Sequence, residues 1–546
     1  MTAQGRNHIR DYVFWLLLQL ILLSKTNAAE SVSSPYRPHI VLIVIDDLGS
    51  HDLGMHGTGI ETPHIDELAK TGIYLDQYYV LPYCSPTRAA LMSGKYPLHT
   101  GVHTVIREKS TQGLPLGEQT LPQLLKHASY QAHAVGKWHI GHSSWNQTPT
   151  FRGFESFFGF YMGGQDYFTH SSVGGYDLHW DSSPHCGEGC SQIVDERGNY
   201  STHVFTREAI RVIQDYHENV DAEQQPLFLY LAYQAVHCPN EVPKHYQDRY
   251  DNDSTYAHWT KQRRNYAGML TAADEGIFNV TRVLKQNGLW NDTLVIVTTD
   301  NGGPTTIGCT QGSSNYPKRG GKCSLWEGGT TGDGIISGPA LKSVLNTNSI
   351  PLPSQRFQHL FHVVDWLPTL AEWVGVVPKN PDKLDGVSQA KALASGTPAR
   401  HELFGGYAQC VSQQTSDDWW GPTLRVRNWK LVQGQSAGPD SKNQSPPGTK
   451  QIQLPGGTGD NHRNQSTTFL LFDLTNDPRE EVNVADLYPA VLKDMISKLK
   501  LYRKAFVYPQ RNDDSLCKFT GLVNTSTVGP AWIPWCHDLE QSLSFY

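Results

Sequence analysis

The chain has 546 residues, of which 38% are hydrophobic and 18% charged, and its formal net charge is -7 at neutral pH. This length suffices for a large domain and a smaller one, and the composition excludes a mainly disordered or fibrous chain. The acidic balance, without a basic tract, argues against a nucleic-acid partner.

The N-terminus has the pattern of a secretory signal. Basic residues precede a nearly all-apolar run at 13–23, and the small residues Ala28 and Ala29 follow. The apolar run matches a signal peptide in length and is short for a bilayer span. We therefore predict a signal peptide over residues 1–29 and a mature chain with no membrane span.

Three continuous apolar runs predict buried strands. Residues 39–45, 226–234 and 293–299 are rich in β-branched and apolar side chains, which is typical of central strands covered on both faces. Between them, residues 203–217 and 264–287 carry apolar side chains at helical spacing. This alternation predicts a large, mostly parallel sheet flanked by helices.

Polar residues follow these strands at the points where each strand ends. They are Asp46 and Asp47, His237, and Asp300 and Asn301, with residues 136–139 after a weaker strand candidate. Sites in such sheets form beyond the carboxyl ends of the strands, so we expect these groups to converge at one edge.

Four of these side chains, Asp46, Asp47, Asp300 and Asn301, are hard oxygen donors. Such a set suits Ca²⁺, with Mg²⁺ as the runner-up. It argues against zinc, which prefers nitrogen and sulfur ligands.

A second region begins near residue 396. Residues 433–468 are rich in Gly, Pro, Ser, Asn and Gln, and they predict a long surface loop. Two short strand candidates and a helix candidate surround it: residues 423–432, 468–474 and 488–506. We predict a catalytic domain over 30–395 and a smaller C-terminal α+β domain over 396–546, with an antiparallel sheet and one packing helix.

Glycosylation sequons support the secretory route. They lie at Asn146, Asn199, Asn252, Asn279, Asn291, Asn443, Asn464 and Asn524. So many sequons behind a signal peptide predict a glycoprotein that is lysosomal or secreted.

The cysteine count is odd, at nine. An oxidising compartment favours disulfides, and an odd count leaves at least one cysteine over. Spacing alone allows the local pairs Cys186–Cys190, Cys309–Cys323 and Cys517–Cys536 but does not determine the connectivity.

The segment 84–101 reads CSPTRAALMSGKYPLHTG, and it resembles the type I sulfatase signature C-x-P-[S/T]-R. The resemblance extends over nearly the whole mature chain and is closest to arylsulfatase B-like enzymes, the N-acetylgalactosamine-4-sulfatase group. The matching patterns are DDLG at 46–49, TPHID at 62–66, GKWHIG at 136–141, AVHCP at 235–239, DNGG at 300–303, LWEGG at 325–329, RNWKL at 427–431 and LFDLTNDPRE at 471–480.

The resemblance implies an alkaline-phosphatase-like fold and a modified nucleophile. In that family, a formylglycine-generating enzyme of the endoplasmic reticulum oxidises the motif cysteine, here Cys84, to formylglycine, which also ligates the metal. This chain departs from the usual pattern at Thr87, where many members have Ser, and at Ser129 and Ala132, where Gly and Thr are usual.

The site residues implied by the resemblance are Cys84, Arg88, Lys137, His139, His237 and Lys322. Lys137 and His139 would contact the formylglycine hydroxyls, with His139 as the base for releasing sulfate. His237 would bind sulfate and protonate the leaving oxygen as a general acid. Lys322, rather than the nearby Lys318, would bind the sulfate because of its spacing to LWEGG.

Several alternatives stay open at this point. The substrate is expected to be a sulfated glycan, such as one ending in N-acetylgalactosamine 4-sulfate, or else a small sulfate ester such as a glucosinolate or phenol sulfate. A phosphate ester hydrolase of the same fold and an inactive binder of sulfated glycans are less favoured. The sequence determines neither the oligomeric state nor the choice between lysosome and secretion.

Overall fold

A computed structural model describes residues 36–222, 224–305, 312–346, 356–407, 421–433, 469–508 and 517–536, and the description below concerns the compact unit from Arg37 onward. The predicted signal peptide and nearly all of the predicted 433–468 loop lie outside these residues, as do Cys309, Asn443 and Asn464. In the described part of the chain, every helix is too short or too polar to cross a membrane.

The strands, numbered in chain order, are β1 His39–Ile45, β2 Ile73–Tyr79, β3 Gln131–Lys137, β4 Ser156–Phe160, β5 Ser171–Ser172, β6 Gly175–Tyr176, β7 His179–Asp181, β8 Ser191–Ile193, β9 Leu227–Tyr233, β10 Thr293–Thr299, β11 Gly334–Ser337, β12 Arg356–His362, β13 Glu402–Phe404, β14 Thr423–Val426, β15 Trp429–Gln433, β16 Phe469–Asp473, β17 Leu522–Thr525 and β18 Gly529–Trp532.

The α-helices are α1 Pro63–Thr71, α2 Cys84–Ser93, α3 Pro97–Thr100, α4 Leu121–Leu125, α5 Ser201–Asn219, α6 Lys244–Asp251, α7 Lys261–Gln286, α8 Glu327–Thr330, α9 Leu341–Val344, α10 Trp366–Val374, α11 Ala390–Ser395 and α12 Pro489–Arg503.

A ten-stranded sheet with the order β12-β2-β11-β10-β1-β9-β3-β4-β7-β8 forms the centre of the fold. The run from β10 to β4 is parallel throughout. Antiparallel pairs stand on both sides of that run, β10 with β11 and β4 with β7. The predicted fold class is confirmed, with a sheet that is mixed outside its parallel centre.

The continuous apolar character of β1 follows from burial on both faces. Ile40, Leu42 and Val44 belong to the hydrophobic core on one side of the sheet. Their alternate neighbours Val41 and Ile43 belong to the core on the other side. Because side chains alternate along a strand, a sheet covered by helices on both faces needs apolar residues at every position.

The predicted helices at 203–217 and 264–287 correspond to α5 and α7, which both supply buried side chains to the same core. The start of α7 is fixed by Thr260, whose side chain accepts a hydrogen bond from the backbone N–H of Arg263 at 3.1 Å. Such an N-cap satisfies one of the donors that the first helical turn leaves unpaired.

The C-terminal region contains the expected antiparallel sheet, β13-β14-β15-β16, and the helix α12. The prediction of one strand over 423–432 is wrong, because the segment is a hairpin of β14 and β15. Arg427 has a φ of 53° in its turn, a left-handed conformation that a continuous strand cannot contain. The domain boundary near residue 396 stays a prediction.

A second four-stranded sheet, β17-β18-β6-β5, was not predicted. It joins the end of the described chain to the hairpin of β5 and β6. The disulfides Cys186–Cys190 and Cys517–Cys536 are present, as two of the pairs that spacing allowed. The third allowed pair requires Cys309, which lies outside the described residues.

The sequons differ in exposure. Of those within the described residues, the asparagines at 199, 252, 291 and 524 are exposed, whereas those at 146 and 279 are half-buried. Glycosylation at all of them stays a prediction.

Candidate active site

Four adjacent parallel strands place the predicted polar residues at one edge of the sheet. Asp46 and Asp300 follow β1 and β10 directly, and Lys137 is the last residue of β3. His139 lies two residues beyond β3, and His237 lies four residues beyond β9. The expected convergence is therefore observed, since parallel neighbours end on the same side.

Cys84 is the first residue of α2, and its side chain is buried with 2% exposure. The helix begins without a side-chain cap, so its first backbone N–H groups and the positive end of its dipole are directed to the space around Cys84. A helix start of this kind favours an anion. Burial raises the pKa of the Cys84 thiol.

Arg88 lies one turn after Cys84 and is paired with Asp300. Its Nε donates to Asp300 Oδ2 at 3.0 Å, and its Nη2 lies 2.8 Å from the same oxygen. Nη1 donates to the backbone carbonyl of Lys137 at 3.2 Å, and Nη2 lies 3.7 Å from Asp46 Oδ2. Arg88 thus links α2 to the ends of the three strands β1, β3 and β10.

Asp46 and Asp47 each have a lysine partner. Lys137 Nζ donates to Asp46 Oδ2 at 2.5 Å, and Lys322 Nζ donates to Asp47 Oδ1 at 2.6 Å. Asn301 Nδ2 donates to the same Asp47 oxygen at 2.7 Å. The structure thereby brings Lys322 into the site, as the sequence predicted.

The carboxylates of the site have unlike proton affinities. Burial and the neighbouring Asp300 raise the pKa of Asp46 to about 8, against the opposing effect of Lys137. Burial also acts to raise the pKa of Asp47, but Lys322 and His237 hold it below its usual value. Arg88 likewise outweighs burial and lowers the pKa of Asp300. Such divergence is typical of functional clusters.

Both predicted histidines are held by backbone carbonyls. His139 Nε2 donates to the carbonyl of Ile106 at 3.0 Å, and His237 Nδ1 donates to the carbonyl of Cys238 at 2.8 Å. Burial, together with Lys322, lowers the pKa of His237 to about 3. Burial and Lys137 lower the pKa of His139 well below its usual range. Both rings are therefore neutral at physiological pH.

The oxygen cluster fits a divalent cation. Asp46 Oδ1, Asp47 Oδ2 and Asn301 Oδ1 are buried and have no hydrogen-bond partner among the residues that the structure describes. Such a state is costly for polar atoms that nothing else satisfies. Asp46, Asp47 and His237 each offer a ligand atom within 4.8 Å of the others. Carboxylate and amide oxygens are the donors that Ca²⁺ and Mg²⁺ prefer.

A cavity of about 390 Å³ opens onto this cluster, lined at its base by Cys84, His139, His237 and Lys322. Its remaining walls were not predicted residue by residue: Val105, Ile106, Glu108, Gly163, Gly164, Gln165, Ser171, Ser172, Val173, Cys238 and Pro239. Cys238 and Pro239 belong to the AVHCP pattern at 235–239, and no motif signals the other wall residues.

Gly163 and Gly164 give the two histidines their space. A Cβ at position 163 would lie 2.6 Å from His139 Cε1, and a Cβ at position 164 would lie 3.0 Å from His237 Cε1. Contacts this short require the ring to shift, so this glycine pair allows both rings to face the cavity.

The chain is similar to known sulfatases. The sulfatase family model matches residues 38–376. Arylsulfatase J of Mus musculus is 33% identical over 527 residues, which cover 91% of this chain and 80% of that protein. N-acetylgalactosamine-6-sulfatase of Canis lupus familiaris is 28% identical over 404 residues, covering 71% of this chain and 72% of that protein.

A solved crystal structure is also similar to this chain. The crystal structure of Ps i-CgsB in complex with k-i-k-neocarrahexaose superposes with a TM-score of 0.70 at 27% identity, covering 88% of this chain and 96% of that chain. The matched family region contains every residue of the cluster described above. The chain therefore belongs to the sulfatase family and is a sulfuric ester hydrolase.

Proposed function

We propose that the chain hydrolyses sulfate esters through a formylglycine formed from Cys84, with a divalent cation held by Asp46, Asp47, Asp300 and Asn301. The observation that carries this proposal is the buried cluster itself. A cysteine at the start of a helix lies in a cavity with lysine and histidine side chains, beside buried oxygens without a hydrogen-bond partner in the described part of the chain.

The charge balance of the cluster favours an anionic ester. Three carboxylates, Asp46, Asp47 and Asp300, are matched by Arg88, Lys137 and Lys322. A divalent cation, Ca²⁺ in the first place and Mg²⁺ as the alternative, would supply the excess positive charge that stabilises the charge developing on sulfate oxygens. A formylglycine at position 84 would supply, when hydrated, one hydroxyl for attack on sulfur and a second whose deprotonation releases sulfate.

The cations of the chain would bind and orient the sulfate. Lys322 lines the cavity, and its ammonium group, held by Asp47, remains charged because Asp47 raises its pKa against the effect of burial. The backbone N–H groups at the start of α2 add positive partial charge on the side of Cys84. These groups are fixed before the substrate binds, which is the form of electrostatic stabilisation that costs least during reaction.

His139 would accept a proton from the hydroxyl at position 84. Its Nε2 carries hydrogen for the bond to Ile106, so in the neutral ring Nδ1 holds the free lone pair. Nδ1 is buried and has no partner within the described residues. This tautomer suits a base in the step that releases sulfate.

His237 would stand on the side of the leaving alcohol. Its Nδ1 is committed to the carbonyl of Cys238, which leaves Nε2 facing the cavity and 3.8 Å from Asp47 Oδ2. In the substrate-free site the neutral ring holds a lone pair at Nε2. We infer that the ring gains a proton there when the anionic ester binds beside it, and that it then donates this proton to the leaving oxygen as a general acid.

We infer a sulfated glycan as the substrate. The relatives include a protein named N-acetylgalactosamine-6-sulfatase, and the similar structure Ps i-CgsB holds a neocarrahexaose. N-acetylgalactosamine 4-sulfate at a chain end is our first candidate, and a small ester such as a glucosinolate or phenol sulfate is the alternative. The signal peptide and sequons predict a glycoprotein of the secretory pathway, lysosomal or secreted, that meets the formylglycine-generating enzyme on its way.

Mass spectrometry of the purified secreted protein tests the nucleophile. Trypsin releases Cys84 in the peptide 71–88, and we expect the formylglycine form in active protein. Cys84→Ser should lose turnover, because a serine ester lacks the second hydroxyl. An active preparation whose peptide holds only unmodified cysteine would refute the mechanism.

A substrate screen tests the reaction itself. Sulfated mono- and disaccharides, glucosinolates and aryl sulfates would be assayed at acidic and neutral pH, before and after chelation. We expect sulfate release that calcium restores after chelation. Restoration by zinc with release of phosphate from phosphate esters would instead favour a phosphate ester hydrolase.

A further inference from the structure

The upper walls of the active-site cavity come from two separate stretches of chain. One contains Ile106 and Glu108, and the other contains residues 163–165 and 171–173. Neither stretch includes a long helix or strand; the second holds only the two-residue strand β5. The spacing between these walls therefore depends on what packs behind them.

One support is the C-terminal loop, which we define as residues 517–536. Its strand β18 pairs in parallel with β6, with Ala531 opposite Tyr176. The indole Nε1 of Trp532 donates to the backbone carbonyl of Ser172 at 2.7 Å, and Trp532 is 1% exposed. The C-terminal loop thus holds the hairpin that carries the wall residues 171–173.

The same loop also reaches the other wall. The backbone N–H of Trp535 donates to the carbonyl of Ser143 at 2.8 Å, and its ring meets His142 edge-on at 5.5 Å. His142 Nε2 donates in turn to the backbone carbonyl of Glu108 at 2.8 Å. Beside it, Lys109 Nζ lies 5.1 Å from the centre of the Phe519 ring.

The C-terminal loop is a closed unit. The disulfide Cys517–Cys536 joins its ends, and Trp535 packs with both cysteines and Phe519 in a small apolar cluster. Phe519 also contacts Trp532, with ring centres 5.6 Å apart. Phe519 also lies 5.1 Å from Trp535, ring centre to ring centre, so it packs on both tryptophans and links the contacts made with the two walls.

We propose that the C-terminal loop is a positioning element for the alcohol part of the substrate, with Trp532 as its principal positioning residue. The inference rests on the proposed function of the cavity and adds to it. The sulfate contacts lie at the base, on Lys322 and the start of α2, which the loop does not touch in the contacts described above. The loop should therefore affect binding of the ester more than binding of sulfate alone.

The test compares Trp532→Phe with Trp290→Phe in the full-length protein. Phenylalanine keeps a ring but removes the N–H that binds Ser172. Trp290 lies just before β10, at the end of that strand remote from Asp300, and serves as the matched control. The measurements are KM and kcat for 4-methylumbelliferyl sulfate, the inhibition constant of inorganic sulfate, and hydrogen exchange of residues 105–109 and 171–176.

For Trp532→Phe we expect KM to rise about fivefold, as for the loss of one buried hydrogen bond. The sulfate inhibition constant and kcat should stay within about twofold, the sign of lost binding in a part of the site that sulfate does not reach. Hydrogen exchange of residues 171–176 should become faster, and Trp290→Phe should change none of these quantities.

Two results would overturn the inference: an unchanged KM and exchange rate, or a parallel rise of KM and the sulfate inhibition constant, which would indicate general damage. If Trp532→Phe does not fold, the double variant Cys517→Ala/Cys536→Ala opens the loop and should give the same pattern. If the wild-type protein released no sulfate, the proposed function would be refuted instead, and the inference with it.

Discussion

Replacing Asp300 by Asn separates the roles of this carboxylate in stability and in cation binding. Arg88 is 1% exposed. Asp300 Oδ2 accepts a hydrogen bond from its Nε and forms an ion pair with its Nη2 at 2.8 Å. Asn keeps the shape and one acceptor, but among the described residues it leaves the Asp46 oxygen at 3.7 Å as the carboxylate nearest to the guanidinium, beside the neutral Lys137 carbonyl and Tyr230 hydroxyl. Breaking a buried pair in this way costs about 3–5 kcal/mol. Urea unfolding of the chelated variant should therefore give a free energy of unfolding that is lower by about that amount.

The cation effect is measured separately. A ligand that binds only the folded state at a hundredfold excess over its Kd stabilises by about 2.7 kcal/mol. We expect calcium to stabilise the wild-type protein by about this amount. It should stabilise Asp300→Asn far less, because one of the four oxygen ligands that we propose for the cation has lost its charge.

The matched control is Asp365→Asn. Asp365 Oδ2 accepts Arg400 Nε at 3.0 Å in another buried pair, between the start of α10 and the segment before β13. This variant should lose comparable stability, yet keep the full response to calcium. A normal calcium response in Asp300→Asn would refute the assignment of Asp300 as a cation ligand.

Two further predictions concern sulfate and pH. Lys322→Met should raise the inhibition constant of inorganic sulfate about 30-fold, which equals about 2 kcal/mol for a lost charge-assisted bond. Lys318 is not among the described residues that line the cavity, so Lys318→Met should change this constant less than about twofold. Equal effects of the two substitutions would contradict the choice of Lys322. His103 is 2% exposed and donates to the carbonyl of Val507 at 2.7 Å, and burial lowers its pKa to about 4. Above the unfolded-state pKa of about 6.5, the ring is neutral in both the folded and the unfolded state. Between pH 6.5 and 4 only the unfolded state takes up the proton, so the free energy of unfolding falls by about 3 kcal/mol in all as the pH is lowered. Urea unfolding across this range should show His103→Gln with a shallower pH dependence, and an unchanged slope would show that His103 does not titrate on unfolding.

The centre of the fold could be predicted because each central strand is apolar at every position. Residues 39–45 and 293–299 coincide with β1 and β10, and residues 226–234 exceed β9 by one residue at each end. Because parallel neighbours end at one edge of a sheet, the sequence alone predicts that Asp46, Asp300 and His237 lie close together.

The parts that escaped prediction depend on tertiary contacts. Residues 423–432 look like one strand, and only the left-handed backbone of Arg427 divides them. The strands β5, β6, β17 and β18 have two to four residues each, too few for a hydrophobic period. Glu108 enters the cavity wall from a loop whose course is set by distant contacts, such as the bond to His142.

The burial of Cys84 has a consequence for how active protein is made. Its side chain is 2% exposed, and every residue of α2 is buried. On the proposed mechanism, a modifying enzyme reaches this cysteine only before the helix is enclosed, so oxidation and folding compete for the same nascent chain. The specific activity of a preparation then reports the fraction of molecules that were oxidised before they folded. Conditions that speed folding should yield more molecules that are correctly folded but inactive.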